Sequence, residues 1–223
     1  MTSQQTESRT GLAFWAPLIA AALALFIVVV DSTMMNVAVP TIVKDLNTNV
    51  STIQGIISLY SLVMASLMLV GGKLGALKGV KRMFLIGLVI YGVGTLIAAV
   101  SWNATVLAIG WSLLEGVGAA FILPLAFALL VTNYGPREQA IGFGILGGVQ
   151  ASAAAVGPIL GGILTTYFTW RLGFAGEVLI AIAIFPFARY VKEKVTAEEG
   201  TTLDWGGAFL SIVGLFPLVL GLI

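Results

Sequence analysis

Three acidic side chains stand where the sequence is otherwise apolar: Asp31, Glu115 and Glu177. An ionisable group at bilayer depth costs several kcal/mol and marks a functional position by default. None has a basic residue at comparable depth, since Arg171 and Lys73 fall at the edges of their apolar runs. An unpaired, desolvated carboxyl favours its protonated form, which suits it to carry a proton or to receive a cation. The plainer alternative is a carboxyl held neutral by burial, or bonded to the backbone of a kinked helix. Glu177, little more than a turn into its run, is read as nearer to solvent than the other two.

The elements that must position these groups follow from composition. The 223 residues are 59% hydrophobic and 9% charged, with mean hydropathy +1.05, which excludes an ordinary water-soluble domain. A helix needs ~20 apolar residues to cross a bilayer. Seven windows meet that length, at about 14–39, 52–71, 83–101, 104–131, 140–166, 172–190 and 205–223. The gaps at Trp102-Asn103 and Thr169-Trp170-Arg171 admit only tight hairpins on one side of the membrane. Trp102 and Trp170 are read there as interfacial indoles. With ~1.5 Å rise per residue, Asp31 and Glu115 each lie about 14–18 Å from that side and could share one cavity.

Basic residues orient the chain. Arg9, Lys73, Lys78, Lys81, Arg82, Arg137, Arg189, Lys192 and Lys194 fall at the start or in alternate loops, leaving only Lys44 and Arg171 on the other side. This places the amino terminus in the cytoplasm of a multi-pass protein of the plasma (cell inner) membrane. Met1–Thr10 is polar with no cleavage pattern after it, so the first run is read as a retained anchor. The domain reading is a cytoplasmic tail at 1–13, a six-helix lobe at 14–190, a cytoplasmic linker at 191–204 and a seventh span at 205–223. That last span stops inside an apolar run, and a partial sequence is expected from it.

Composition also excludes chemistry. There is no Cys and no His, so disulfides, thiol or Ser–His catalysis and the common zinc and haem ligations are absent. No metal, no organic cofactor and no enzymatic activity are expected. Net charge is +1 with no basic stripe, which argues against a nucleic-acid partner. The clusters at Lys78–Arg82 and Arg189–Lys194 ordinarily serve orientation, with binding of anionic lipid as the alternative. Small-residue faces such as Gly144 with Gly148, and Gly116 to Ala120, are read as helix contacts. Gly135-Pro136-Arg137 reads as a turn opening a helix.

The chain resembles the fourteen-helix drug:proton antiporters of the major facilitator superfamily, over nearly its whole length. Asp31-Ser32-Thr33-Met34-Met35-Asn36-Val37-Ala38-Val39-Pro40 is similar to that family's first-helix signature, and Ile53-Gln54 with Tyr60 to the start of its second helix, with Gly55 in place of the usual Trp. Gly157-Pro158-Ile159-Leu160-Gly161-Gly162 matches the antiporter motif of the fifth helix. Trp170-Arg171 with Phe174, and Asp204-Trp205 with Gly207, resemble the entries to the sixth and seventh helices. The resemblance implies an all-α polytopic fold whose first six spans form one lobe of two inverted three-helix repeats, completed by a missing carboxy-terminal lobe. It further implies alternating access driven by a proton gradient, with export of a small lipophilic or cationic molecule. Asp31, Asn36, Tyr60, Glu115 and Glu177 would bind proton or substrate, and Gly157, Pro158, Gly161, Gly162, Lys73, Lys78 and Arg82 would serve switching.

Departures from the pattern are informative. Ala76 stands where the family's loop between helices two and three carries an Asp, Ser112 where the fourth helix carries an Arg, Glu115 for a Gln and Glu177 for an Asn. Two amides become acids while a membrane Arg is lost, which favours cations over anions. A facilitator or importer of a metabolite, and a non-transporting scaffold or sensor, remain the alternative classes. An intramembrane hydrolase with paired carboxylates is the remotest.

Overall fold

A computed structural model describes residues 11–195 together with Gly206 and Gly214. The tail before Gly11, most of the linker, the seventh-span reading at 205–223 and the motif at Asp204-Trp205 lie outside the described residues, apart from those two glycines. Six helices are long and apolar enough to cross a membrane: α1 Leu12–Asp45, α2 Val50–Lys78, α3 Val80–Ala99, α4 Ala104–Asn133, α5 Pro136–Tyr167 and α6 Arg171–Ala188. Among the described residues there is no strand. All six spans expected there are present. Several overrun their apolar windows, because a helix continues into water wherever its backbone bonds are kept and nothing stops it.

The stops have local causes. Asn49 caps α2 by accepting from Thr52 N–H at 2.8 Å, and Asn103 caps α4 by accepting from Val106 N–H at 2.9 Å. Gly79, at φ 102°, makes the break between α2 and α3, a backbone conformation that a side chain resists. Gly135 precedes α5 and Pro136 takes its first position, where the missing N–H costs nothing.

The helices form one bundle in which α1 packs on α5, α6 and α4, while α4 packs on α2, α3 and α1, and α3 meets α6. Exchanging the triplets α1–α3 and α4–α6 carries α1–α5 onto α4–α2 and α1–α6 onto α4–α3, and leaves α1–α4 and α3–α6 in place. That is the packing scheme of two related three-helix repeats, with α1 and α4 as the equivalent central helices. Glycines set the approach of α3 to α4. A Cβ on Gly94 would stand 2.5 Å from the Glu115 nitrogen, and one on Gly118 would stand 2.5 Å from the Tyr91 nitrogen. Backbones in direct contact bring the side chains they carry to one depth.

Candidate functional site

The site is built on a widened turn. Within α4, Ala108–Glu115 is π-helical, and it carries Trp111, Ser112 and Glu115. A π stretch re-aims side chains that a regular helix would spread around its circumference, and such stretches concentrate at functional positions. Opposite it, α1 presents Asp31, α2 Tyr60, α3 Tyr91 and α6 Glu177 with Phe174.

Asp31 and Glu115 are fully inaccessible and Glu177 is 3% exposed. One oxygen from each of the three lies within 4.8 Å of the others. The indole of Trp111 donates to Asp31 Oδ2 at 2.8 Å, and the hydroxyl of Tyr91 donates to Glu177 Oε2 at 3.1 Å. Glu115 lies within reach of Asp31 and of the Tyr91 and Thr95 hydroxyls. Those donors are spent elsewhere, with Thr95 Oγ1 donating to the Tyr91 carbonyl at 2.8 Å. Asp31 Oδ1, both Glu115 oxygens, Glu177 Oε1 and the Tyr60 hydroxyl are therefore buried without a partner. An apolar interior does not hold three bare negative charges, so this cluster must carry protons or a cation.

Aromatic rings close the cluster. Tyr60 and Trp111 centroids are 6.0 Å apart, Trp111 and Phe174 5.7 Å, and Phe174 and Trp170 6.0 Å. The carboxyls thus meet inside the lobe, behind side chains of the lobe itself. Glu177 corrects the reading that placed it nearer to solvent: α6 begins at the turn before it, but the side chain points inward to α3 and α1. It also lines a recess of about 130 Å³ together with Leu160 and Leu164 of α5 and Leu172 of α6.

Other residues singled out by the sequence lie apart. Asn36 is exposed, and its amide donates to the Ser32 carbonyl at 2.7 Å. Gly157 and Gly161 face α1, where a Cβ would overlap the Thr33 side chain or approach the Met34 carbonyl to 2.7 Å. Pro158 is exposed, and Gly162 opens onto empty space. Gly144 and Gly148 also have nothing within 4 Å, which corrects their reading as helix contacts among the described residues. Ser112 donates to the Ile56 carbonyl of α2 at 2.6 Å, so the position holds a helix-to-helix bond.

Two clasps hold the ends. At the end bearing the α1–α2 turn, Arg171 pairs with Asp45, donates to the Ser101 carbonyl at 2.6 Å and stacks 4.4 Å over the Trp170 ring. Trp170 is buried and donates to Asp45 at 3.1 Å, so it is an internal strut and not the interfacial indole expected, while Trp102 is 72% exposed. At the opposite, basic end, Lys73, Lys78 and Arg82 are exposed. There the chain leaving α6 folds back: Glu193 Oε2 accepts from Arg82 N–H at 3.1 Å, Val80 N–H donates to the Lys194 carbonyl at 3.3 Å, and Lys192 N–H donates to Asn133 at 2.9 Å. These bonds tie residues 192–194, the start of the segment read as a linker at 191–204, to the lobe, and Val191 is buried. Trp111, Tyr91 and Glu193 were missed by sequence reasoning.

Known proteins share this architecture. The sequence profile of the Major Facilitator Superfamily matches residues 21–221. The puromycin resistance protein of Streptomyces alboniger is 31% identical over 206 residues, covering 92% of this chain and 41% of that protein. The methyl viologen resistance protein SmvA of Salmonella typhimurium is 33% identical over 207 residues, with 92% and 41% covered. The riboflavin transporter RibZ of Clostridioides difficile is 29% identical over 197 residues, with 88% and 43% covered. The chain spans between 37% and 43% of the length of such relatives. Among solved structures, the peptide transporter POT in complex with sulfate superposes with TM-score 0.71 at 15% identity, covering 94% of this chain and 45% of that one. The human organic anion transporter MFSD10 gives 0.63 at 16%, covering 97% and 55%. At such identities the structures speak for the fold alone.

Proposed function

The chain belongs to the Major Facilitator Superfamily, a family of membrane transporters, and on that premise we propose that it is the proton-handling lobe of an exporter of lipophilic cations. The observation that supports this most is the buried cluster of Asp31, Glu115 and Glu177, three carboxyls with two hydrogen-bond donors and no base. Protonated, the cluster is neutral and compatible with a closed lobe. Loss of a proton puts charge into an apolar interior at a cost of several kcal/mol, which favours any rearrangement that admits water or a cation. Proton release and opening are coupled in this way, and no direct contact between Asp31 and the exported molecule is needed.

The rest of the molecule fits that role. The least buried spans are α2 and α5, with 28% and 17% of their apolar windows buried, and these would meet a second lobe across the transport path. The contact of Gly157 and Gly161 with α1 would let α5 slide past Thr33 and Met34 as the path changes sides. We place the amino terminus in the cytoplasm and the protein in the plasma membrane, on the distribution of Lys and Arg. Among the described residues no basic group lies near the cluster, which supports a cationic or neutral molecule over an anion.

The test is proton-driven efflux of a cationic dye from vesicles carrying the full-length protein. Asp31→Asn abolishes coupled efflux; undiminished coupling in that variant overturns the assignment. A metabolite carrier is the second reading, favoured by a relative named as a riboflavin transporter, and a substrate screen in proteoliposomes separates the two.

A further inference from the structure

The absence of Cys and His removes the commonest ligands of zinc, but it leaves untouched the metals that prefer oxygen. Asp31, Glu115 and Glu177 come from three different helices, which is why no sequence spacing announces them as a set. Their oxygens all lie within 4.8 Å of one another, so a point within about 2.8 Å of all three exists, and a small inward turn of the carboxyls brings it to the 2.3–2.6 Å range of Ca²⁺–oxygen bonds.

An acidic cluster alone is not a site, and a separate group distinguishes this one. Tyr60, from a fourth helix, is 2% exposed with a hydroxyl that has no partner, and its ring lies 6.0 Å from that of Trp111, which binds Asp31. A buried phenol without a partner is costly unless something is there to receive it. The donors are also arranged as around a ligand shell. Trp111 and Tyr91 each bind one oxygen of a carboxyl and leave the other free, as outer groups do when they fix a metal-ligating carboxylate. Asp31 Oδ1, both Glu115 oxygens, Glu177 Oε1 and Tyr60 Oη remain as five hard oxygens with no ammonium or guanidinium among them.

We propose that this cluster is a binding site for a dehydrated hard divalent cation of Ca²⁺ size. Such an ion together with one proton neutralises the three carboxyls. Mg²⁺ is a poorer fit, because it insists on octahedral geometry and keeps several waters for which the packed rings leave little room.

The inference does not rest on the transport reading, and its test needs no transport. Purified protein in detergent is titrated with Ca²⁺ by calorimetry and with Tb³⁺ by sensitised luminescence, Trp111 being the adjacent donor. Saturable binding is expected, with Tb³⁺ emission displaced by Ca²⁺ ahead of Mg²⁺. Asp31→Asn and Glu115→Gln, which keep side-chain shape, each weaken Ca²⁺ binding at least about tenfold. Trp111→Phe weakens Ca²⁺ binding roughly 10- to 100-fold, as loss of an outer group does, and loses most of the Tb³⁺ emission even at saturating Tb³⁺. Absence of saturable binding by the unaltered protein overturns the proposal whatever the variants do. Binding that survives both amide variants overturns it too, since it belongs to surface carboxylates such as Asp45, Glu138 and Glu193. Gel filtration and circular dichroism confirm that each variant compared is folded.

Discussion

Gly94→Ala adds one carbon where α3 meets the π-helical part of α4. The new Cβ would lie 2.5 Å from the Glu115 nitrogen, 2.6 Å from the Gly110 carbonyl oxygen and 3.0 Å from the Glu115 Cα. All three are backbone atoms, so no side chain can swing away. To reach ordinary contact at 3.4 Å the two helices must part by about 0.9 Å, which is overpacking of the kind that costs about 1–3 kcal/mol. The folded-to-unfolded ratio falls roughly 5- to 150-fold in consequence. The displaced segment is the one that carries Glu115, so the cluster loosens together with the packing. Gly144→Ala and Gly148→Ala are the controls, since a Cβ at either meets nothing within 4 Å. Denaturant unfolding of the purified protein reads stability, and dye efflux by the full-length protein reads function. Gly94→Ala is expected to lose both, and the controls neither. A Gly94→Ala protein as stable and as active as Gly144→Ala would refute the claim that this backbone contact sets the depth of Glu115.

Three further outcomes are expected. Trp111→Phe strands Asp31 Oδ2 in the core without its 2.8 Å donor, and should cost about 1–3 kcal/mol in the same unfolding assay. Asp45→Asn weakens the clasp with Arg171, but both side chains are well exposed, at 43% and 30%; a change within about 1 kcal/mol that shrinks further in high salt is expected from comparing low- and high-salt unfolding. Glu193→Ala releases the returning strap from the first turn of α3, and limited trypsin digestion should cut after Lys192 and Lys194 several-fold faster than in the unaltered protein.

The six spans were legible because a bilayer imposes a length on apolar runs, and connections at Trp102-Asn103 and Gly135-Pro136 because a short gap and turn chemistry mark them, whereas the caps at Asn49 and Asn103 emerged only in the structure. The acids were legible for the opposite reason, as charges in the wrong solvent. What the sequence did not carry was direction. In a soluble helix the polar face declares which side is out, but α1 and α4 are apolar all round, so lipid-facing and core-facing positions read alike. Trp111 and Trp102 are the same letter nine positions apart, yet one is buried against Asp31 and the other is exposed beyond the helix end. Trp170 was misplaced for the same reason.

Direction also changes what the acids can do. Read along the chain, Asp31 and Glu115 were two carboxyls at one depth that could line a shared cavity. In the bundle, the π turn rotates Glu115 and Trp111 inward together, α3 is drawn onto them through Gly94 and Gly118, and Glu177 completes the set from α6. A carboxyl on the wall of the lobe would meet a transported cation directly and compete for it. Three carboxyls buried in the lobe would act on the proposed transport path through the packing of α1, α4 and α6, the helices that carry them. On the function proposed above, coupling turns on which ion neutralises this core.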